Sequence, residues 1–324
     1  MSFSDDSQHD QPRYSGVPTL LRLPYQDDFS ELDIALIGIP YDGGVTFRPG
    51  ARHGPAEIRQ QSALMRRYHG VTRQAPFEQV RAADVGDVPM EHHYSISDTF
   101  DDITRYYSRL HKENVIPLTV GGDHSITYPI FRAIAKEAPI AMIHIDAHTD
   151  TWGDFQGSKF SHGSPFRLAT EDGLIDPKHC IQIGIRGAQN TFEGWDFSLE
   201  KGMRVVFMEE FAEVGVKAII EEARRVVGDM PTYITFDVDG LDPAFAPGTG
   251  TPEIGGITSL EALTFLRGLT GLNLIGGDVV EVAPPLDNTG STALVGATLL
   301  YEIFCLLADR IASIRGVGRD SRGI

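Results

Sequence analysis

Short apolar runs alternate along the chain with longer stretches in which apolar residues recur every three or four positions. The first pattern predicts strands buried on both faces, and the second predicts amphipathic helices. The strand candidates are residues 33–40, 80–86, 115–122, 140–148, 180–186, 204–208, 232–240 and 272–282. The helix candidates are residues 55–68, 97–112, 126–137, 211–228, 258–269 and 291–313. Strands that alternate with helices predict an α/β fold, a parallel sheet with helices on both faces.

Two of these helices carry start signals. Pro55 stands in the first turn of one, and Thr258 with Glu261 forms a capping-box pattern at the other. Residues 1–30 are polar and punctuated by proline, so we expect an N-terminal arm or tail outside the core. Since no linker, repeat or low-complexity segment interrupts the rest, residues 31–324 are predicted to form a single catalytic domain.

Composition narrows the class of protein. The 324 residues carry a net charge of −17, which argues against nucleic-acid binding because a phosphate-binding surface needs an excess of Lys and Arg. The two cysteines lie in apolar surroundings, so we expect a reducing, cytoplasmic location and no disulfide framework. The first residues lack the apolar core of a signal peptide. The sequence has no run of about 18 apolar residues, so we expect no transmembrane helix and no membrane association.

Acidic residues and histidines follow four of the predicted strands. The carboxyl ends of parallel strands meet at one edge of a sheet, where ligands bind. Asp146, His148 and Asp150 occupy alternate positions and therefore share one face of an extended chain. The other strand ends supply Asp123, His124, Asp237, Asp239, Asp242, Asp278 and Glu281.

Single members of this set have ordinary structural explanations. Asp242, before Pro243, is expected to form a turn. His144 lies inside an apolar strand and is expected to be a core histidine rather than a ligand. Asp123 is expected to orient the His124 ring, since ligand histidines usually donate to a second acceptor.

The cluster as a whole needs more than these explanations. Four carboxylates beside two imidazoles would be costly to desolvate, or would be forced to hold protons. Two divalent cations resolve that conflict. Ligands rich in oxygen, with two histidines, suit Mn²⁺ better than a structural zinc. A paired site also lowers the pKa of a shared water, so that hydroxide is available near neutral pH.

Four motifs resemble the ureohydrolases, the family of arginase and agmatinase, and occur in that family's order. They are GGDHS (121–125), DAHTD (146–150), SHGSPFR (161–167) and TFDVDGLDPAFAPGTGTPE (235–253). The resemblance covers residues 33 to 313. It implies a three-layer α/β/α fold with a doubly wound, eight-stranded parallel sheet, and a homo-oligomer, either trimer or hexamer. It also implies two Mn²⁺ per subunit, with Ni²⁺ in some relatives.

The resemblance implies hydrolysis of a guanidino group to urea and an amine, by hydroxide shared between the two metals. One ion would be held by His124, Asp146, Asp150 and Asp237, and the other by His148, Asp146, Asp237 and Asp239, with Asp146 and Asp237 bridging. Asp146, His162 and Glu281 would be the catalytic residues. Glu281 would pair with the guanidinium, a planar donor that suits a carboxylate, and His162 would pass a proton to the leaving amine. Without the resemblance, His162 would be interpreted as an exposed loop histidine and Glu281 as a salt-bridged residue at a strand end.

The loop at residues 151–163 follows the metal motif and is expected to face the substrate tail. It lacks the asparagine of the arginase loop, so the resemblance is to the agmatinase branch, which includes guanidinobutyrase and guanidinopropionase. Its candidate substrate-binding residues are Trp152, Asp154 and Lys159, beside Glu281 and His162. Asp154 would receive the ammonium of agmatine, whereas Lys159 or Arg186 would receive the carboxylate of a guanidino acid. The acidic composition favours agmatine, a dication, whose products would be putrescine and urea.

Other classes of protein remain open at this stage. A formiminoglutamate hydrolase on the same fold would release formamide in place of urea. A non-catalytic partner of an active paralogue would usually lack ligands, yet all six ligand positions are present here. A nucleotide-binding enzyme is disfavoured because the strand at 180–186 is not followed by G-x-G-x-x-G.

Overall fold

The computed structural model describes residues 11–316 and centres on one eight-stranded sheet in which every pairing is parallel. The strands are Ile34–Gly38 (β1), Ala82–Asp87 (β2), Ile116–Val120 (β3), Ile140–Ile145 (β4), Ile175–Ile185 (β5), Arg204–Phe207 (β6), Thr232–Asp237 (β7) and Leu274–Val280 (β8). Their order across the sheet is β2-β1-β3-β8-β7-β4-β5-β6. Each predicted strand overlaps an observed one, although β5 begins five residues before its predicted start, so the predicted parallel sheet is confirmed.

Helices cover both faces of the sheet. They are Gly54–Gln61 (α1), Pro76–Gln79 (α2), Ile96–Lys112 (α3), Thr127–Ile134 (α4), Pro165–Glu171 (α5), Glu193–Lys201 (α6), Met208–Val227 (α7), Ser259–Arg267 (α8) and Ser291–Ile314 (α9). The six predicted helices are present, whereas α2, α5 and α6 were not predicted. The capping box of α8 is confirmed, since Glu261 N–H donates to Thr258 Oγ1 and Thr258 N–H donates to the Glu261 carboxylate.

Two apolar cores, one on each face of the sheet, explain why the strands are continuously apolar. Along β1, Ile34 and Leu36 pack into the core beneath α1, α7, α8 and α9. The alternate residues Ala35 and Ile37 pack into the core beneath α3, α4 and α5. Every residue of β1, β4 and β7 is buried. This is the three-layer α/β/α arrangement that the sequence predicts.

The helix α9 is long and apolar enough to cross a membrane by composition alone, with a mean hydropathy of 1.7. In the structure 78% of that apolar window is buried inside the domain. It packs against β8, α1, α2 and α8, and therefore serves as a core helix.

The N-terminal segment departs from the expected arm. Leu20 and Leu21 are fully buried in the core. The Leu20 N–H donates to Asp84 Oδ2 at 2.8 Å, and the Leu21 N–H donates to Ser62 Oγ at 2.9 Å. The expectation that residues up to 30 lie outside the core is therefore wrong for this stretch, while residues 1–10 lie outside the described residues. Because prolines and charged residues surround Leu20 and Leu21, the sequence around this short apolar cluster gave no sign of its burial.

Candidate metal centre

The structure brings all six predicted ligand residues together at the carboxyl ends of three adjacent or nearly adjacent strands. His124 follows β3, the group from Asp146 to Asp150 follows β4, and Asp237 with Asp239 lies at the end of β7. These side chains are buried, apart from His148, whose side chain is 22% exposed. The centre therefore lies beneath the surface and has one exposed imidazole.

His124 shows what the cluster needs. Its Nδ1 lies 3.0 Å from Asp146 Oδ2, 3.0 Å from Asp150 Oδ2 and 3.4 Å from Asp237 Oδ2. On the other side of the ring, Nε2 lies 2.8 Å from Thr235 Oγ1, and that hydroxyl donates to Asp278 Oδ1 at 2.6 Å. Because the proton of Thr235 goes to Asp278, the hydroxyl accepts from Nε2–H. Nδ1 is thus left with a lone pair and no hydrogen-bond partner.

A lone pair that faces three carboxylate oxygens is repelled by all of them, unless a cation lies between. This arrangement fits a divalent ion, which would take the place of a proton on Nδ1. The orienting group, however, is not the one expected. Asp123 does not contact the His124 ring; its carboxylate accepts from Ser125 N and Gly44 N, because it caps the short helix that begins at His124.

A second set of ligand atoms lies on the other side of Asp146. His148 Nδ1 is 3.1 Å from Asp239 Oδ2 and 3.3 Å from Asp146 Oδ1. The two oxygens of Asp146 therefore face different histidines, Oδ2 towards His124 and Oδ1 towards His148. Two groups of ligand atoms that share one carboxylate suit a pair of cations rather than a single one.

The electrostatics of the cluster also favour cations. Burial raises the pKa of Asp237 well above its usual range, and the neighbouring Asp239 and Asp146 raise it further. Burial and Asp146 raise the pKa of Asp239 to about 6. Burial alone would lower the pKa of His124, but Asp146, Asp150 and Asp237 raise it well above its usual range. These carboxylates are unfavourable as bare anions, so positive charge must come from protons or metal ions.

Beside this cluster, Glu281 and His162 form a buried pair. Glu281 follows β8 in a left-handed conformation (φ 64°), and its Oε1 lies 2.9 Å from His162 Nδ1. The Thr46 backbone N–H, which can only donate, points at His162 Nε2 at 3.2 Å, so in the neutral ring the proton sits on Nδ1 and is donated to Glu281. Burial lowers the pKa of His162, but the Glu281 carboxylate outweighs this and raises it to about 9. His162 is therefore not the exposed loop histidine of the simpler interpretation.

A cavity of about 500 Å³ opens above the cluster. Its wall includes His148, Trp152, Asp154, His162 and Glu193, and none of the described residues that line it is Lys or Arg. Trp152 and Asp154, two of the three loop residues predicted to contact the substrate tail, therefore line the cavity beside the cluster.

The two cations proposed from sequence to receive a carboxylate are not on this wall. Lys159 lies over the Phe160 ring, 5.1 Å from its centroid. Arg186 is buried, and its guanidinium donates to the backbone carbonyls of Gly184, Asp239, Gly240, Leu241, Glu253 and Ile254. Arg186 therefore holds the loop after β7 in place and has no donor left for a substrate, so that expectation is wrong.

Comparison with known proteins decides the family. The model of the Arginase family matches residues 32–305 of this chain. The chain belongs to the arginase family. This confirms the resemblance seen in the four motifs, and the agmatinase-like branch is where the similar proteins fall.

Three relatives illustrate how similar this arginase-family protein is to others. The guanidinopropionase of Pseudomonas aeruginosa is 54% identical over 302 residues, 93% of this chain and 95% of that protein. The mitochondrial agmatinase of Gallus gallus is 47% identical over 293 residues, 90% of this chain and 86% of that protein. The solved structure of proclavaminate amidino hydrolase from Streptomyces clavuligerus has a TM-score of 0.89 at 39% identity, covering 93% of this chain and all of that one.

Two contributors to this arginase-family centre were missed in the sequence. Thr235 stands two residues before Asp237 on β7, on the same face, so the alternation that selected Asp237 would also have selected it. Thr46 comes from the loop after β1, and nothing in its sequence surroundings pointed to His162. Contacts between distant loops of this kind leave no local pattern.

Proposed function

We propose that this arginase-family protein hydrolyses the guanidino group of a linear guanidino compound to urea and an amine, with two divalent cations, Mn²⁺ in the first instance. The ligands would be His124, Asp146, His148, Asp150, Asp237 and Asp239, with Asp146 and Asp237 shared. The observation that carries this proposal is the lone pair of His124 Nδ1, held by Thr235 towards three carboxylate oxygens. When bound, the ions would supply the activated water for the hydrolysis.

The roles of Glu281 and His162 follow from their positions. Glu281 is buried next to the cluster, so its carboxylate can pair with a guanidinium out of contact with bulk water, where such a pair is strong. His162 lies on the cavity wall with its proton on the nitrogen that faces Glu281. Its place on the wall of the cavity supports the proposal that His162 would pass a proton to the amine as the amine leaves.

Agmatine is the substrate that the cavity favours. Asp154 and Glu193 line the wall, and although Arg167 Nη2 lies 3.0 Å from Glu193 Oε1, none of the described lining residues is a Lys or Arg that would pair with a substrate carboxylate. A substrate tail that ends in an ammonium would be attracted there, whereas one that ends in a carboxylate would be repelled.

A guanidino acid is the second candidate, because a guanidinopropionase is 54% identical to this chain. The Gln189 amide also lines the cavity, and both of its polar atoms are buried without a hydrogen-bond partner among the described residues. Its NH₂ group would donate a hydrogen bond to the substrate carboxylate and so partly compensate for the missing Lys or Arg on the wall.

Steady-state kinetics with agmatine, guanidinobutyrate, guanidinopropionate and arginine, on protein loaded with Mn²⁺ or Ni²⁺, would test these assignments. We expect urea release, with agmatine giving the highest kcat/KM. A higher value for guanidinopropionate would show agmatine to be wrong and leave the hydrolase intact. Absence of urea from every substrate, or release of formamide from formiminoglutamate, would refute the proposed activity.

The wall of the cavity can be tested separately. Asp154→Asn should lower kcat/KM for agmatine about two- to fivefold, since Asp154 is exposed and an ion pair at an exposed position contributes up to about 1 kcal/mol. Lys159→Gln, in the same loop but off the cavity wall, is the matched control and should leave the kinetics unchanged. We further propose a cytoplasmic homo-oligomer, trimer or hexamer, which light scattering on the purified protein would measure.

A further inference from the structure

His144 is a buried histidine that the proposed function does not use. It lies in β4, two residues before Asp146, and is fully buried. Its Nε2 lies 2.7 Å from Asp146 Oδ2, its Nδ1 lies 3.2 Å from Gln182 Nε2, and its ring packs 4.4 Å from that of Phe166. A polar ring in an apolar strand, in contact with the carboxylate shared by two groups of ligands, is more than a filler of the core.

The direction of the hydrogen bonds follows from the backbone. Gln182 Nε2 lies 2.6 Å from the carbonyl oxygen of Thr149, which can only accept, so the amide nitrogen must be on that side. The same NH₂ group then donates its other proton to His144 Nδ1. His144 consequently carries its proton on Nε2 and donates it to Asp146 Oδ2.

This tautomer rules out one role and defines another. Although His144 lies within ligand distance of His124, Asp146 and Asp150, its Nε2 has no lone pair to give to a metal, and its Nδ1 lone pair is taken by Gln182. It therefore acts through Asp146. The oxygen that it contacts, Oδ2, is the one that faces His124, whereas Oδ1 accepts from the His148 backbone N–H at 2.6 Å and faces the His148 ring.

We infer that His144 is a positioning residue for one half of the metal centre. Resting on the proposed metal site, it orients Asp146 Oδ2 towards the ion on the His124 side and leaves the His148 side to the backbone N–H. Loss of an outer hydrogen-bond partner typically costs about 10- to 100-fold in metal affinity. The loss at His144 should therefore fall on one of two sites rather than on both.

Calorimetric titration of Mn²⁺ into metal-free protein tests this directly. The unaltered protein should bind two ions per chain. His144→Phe keeps a ring against Phe166 but removes the donor, and should weaken one ion about 10- to 100-fold while the second keeps its affinity. At a Mn²⁺ concentration that saturates only the unaffected site, electron paramagnetic resonance should then show an isolated ion in place of a coupled pair.

Two further variants separate positioning from folding. His144→Gln offers an amide donor at the same place and should recover part of the lost affinity, and it carries the test if His144→Phe does not fold. His179→Phe is the matched control, because His179 lies early in β5 and pairs with Asp176, so it should bind both ions normally. The melting temperature of each metal-free variant reports folding independently of metal.

The outcomes are distinguishable. Two ions bound with unchanged affinity by His144→Phe, or equal weakening of both sites, would overturn the role of His144 and leave the proposed function standing. An unaltered protein that binds no divalent ion would refute the proposed function, and this inference with it. Selective loss of one site, with recovery in His144→Gln and normal melting of the metal-free protein, would establish it.

Discussion

The backbone N–H of His124 donates a hydrogen bond to Oε1 of Glu281 at 2.9 Å. The first residue of the metal cluster and the residue assigned to the guanidinium are thereby held at a fixed separation. The same Oε1 accepts from His162 Nδ1. Three of the proposed functional residues thus share one carboxylate oxygen, although they come from three different loops.

Glu281→Gln should retain both metal ions and lose recognition of the substrate. The amide oxygen can still accept from His124 N–H, but the negative charge that pairs with guanidinium is gone. Because a hydrogen bond to a charged group contributes about 1.5–3 kcal/mol, kcat/KM should fall about 10- to 100-fold. Kinetics combined with metal analysis would check this, and near-normal kcat/KM would remove Glu281 from the substrate site.

Asp237→Asn should abolish metal binding and activity together without destabilising the metal-free protein. Burial, Asp239 and Asp146 make the Asp237 carboxylate unfavourable in the absence of a cation, which is why its pKa is raised. Removing that charge therefore relieves repulsion. Thermal melting with and without Mn²⁺ is the measurement. The unaltered protein should gain about 2.7 kcal/mol for each bound ion at a hundredfold excess over Kd, whereas the variant should gain nothing.

Thr235→Val removes the group that holds the His124 ring, with little change in volume. His124 Nε2–H loses its acceptor and Asp278 loses a donor, so we expect a drop of about 1–3 kcal/mol in the free energy of unfolding. Mn²⁺ affinity should fall about tenfold or more as the ring loses its fixed orientation. Thr264→Val, on α8, is the control. Unaltered affinity in Thr235→Val would mean that the tautomer of His124 is fixed by something else.

Leu20→Ala tests the burial of the N-terminal segment. Leu20 is fully buried in the core, so its truncation should destabilise the protein by about 2–5 kcal/mol. Val17, three residues earlier, is 85% exposed, and Val17→Ala should have almost no effect. Denaturant unfolding of both variants compares them, and equal stability would contradict the observed packing.

The sheet could be predicted because β1, β4 and β7 are buried on both faces, which leaves a continuous apolar run in the sequence. The ligands could be predicted from the run of Asp and His directly after an apolar strand, but not from period-two spacing, because β4 ends at Ile145 and Asp150 has a left-handed φ of 50°. The short helices α5 and α6 could not, because α5 has only seven residues and α6 buries only Gly194 and Ser198, which leave no apolar period in the sequence.

Other contacts could not be predicted from the sequence because they form only when distant segments of the chain pack together. The proton on His144 depends on Gln182, which in turn depends on the carbonyl of Thr149, and these residues meet only through the pairing of β4 with β5. Arg186 looked available for a substrate because its sequence neighbours show no partner. Apart from Gly184, its partners are carbonyls from residues 239–254, which become its neighbours only in the folded chain.

The position of β8 has a consequence for how the chain folds. β8 is the last strand in sequence but lies between β3 and β7, so it joins β2-β1-β3 to β7-β4-β5-β6. During synthesis these two blocks each present an unpaired edge until residues 274–280 are available. The His124 loop and the Asp237 loop therefore cannot be brought into register before nearly all of the chain has been made. Capture of metal should accordingly be a late step, and chains truncated before β8 should be prone to aggregation through their open edges.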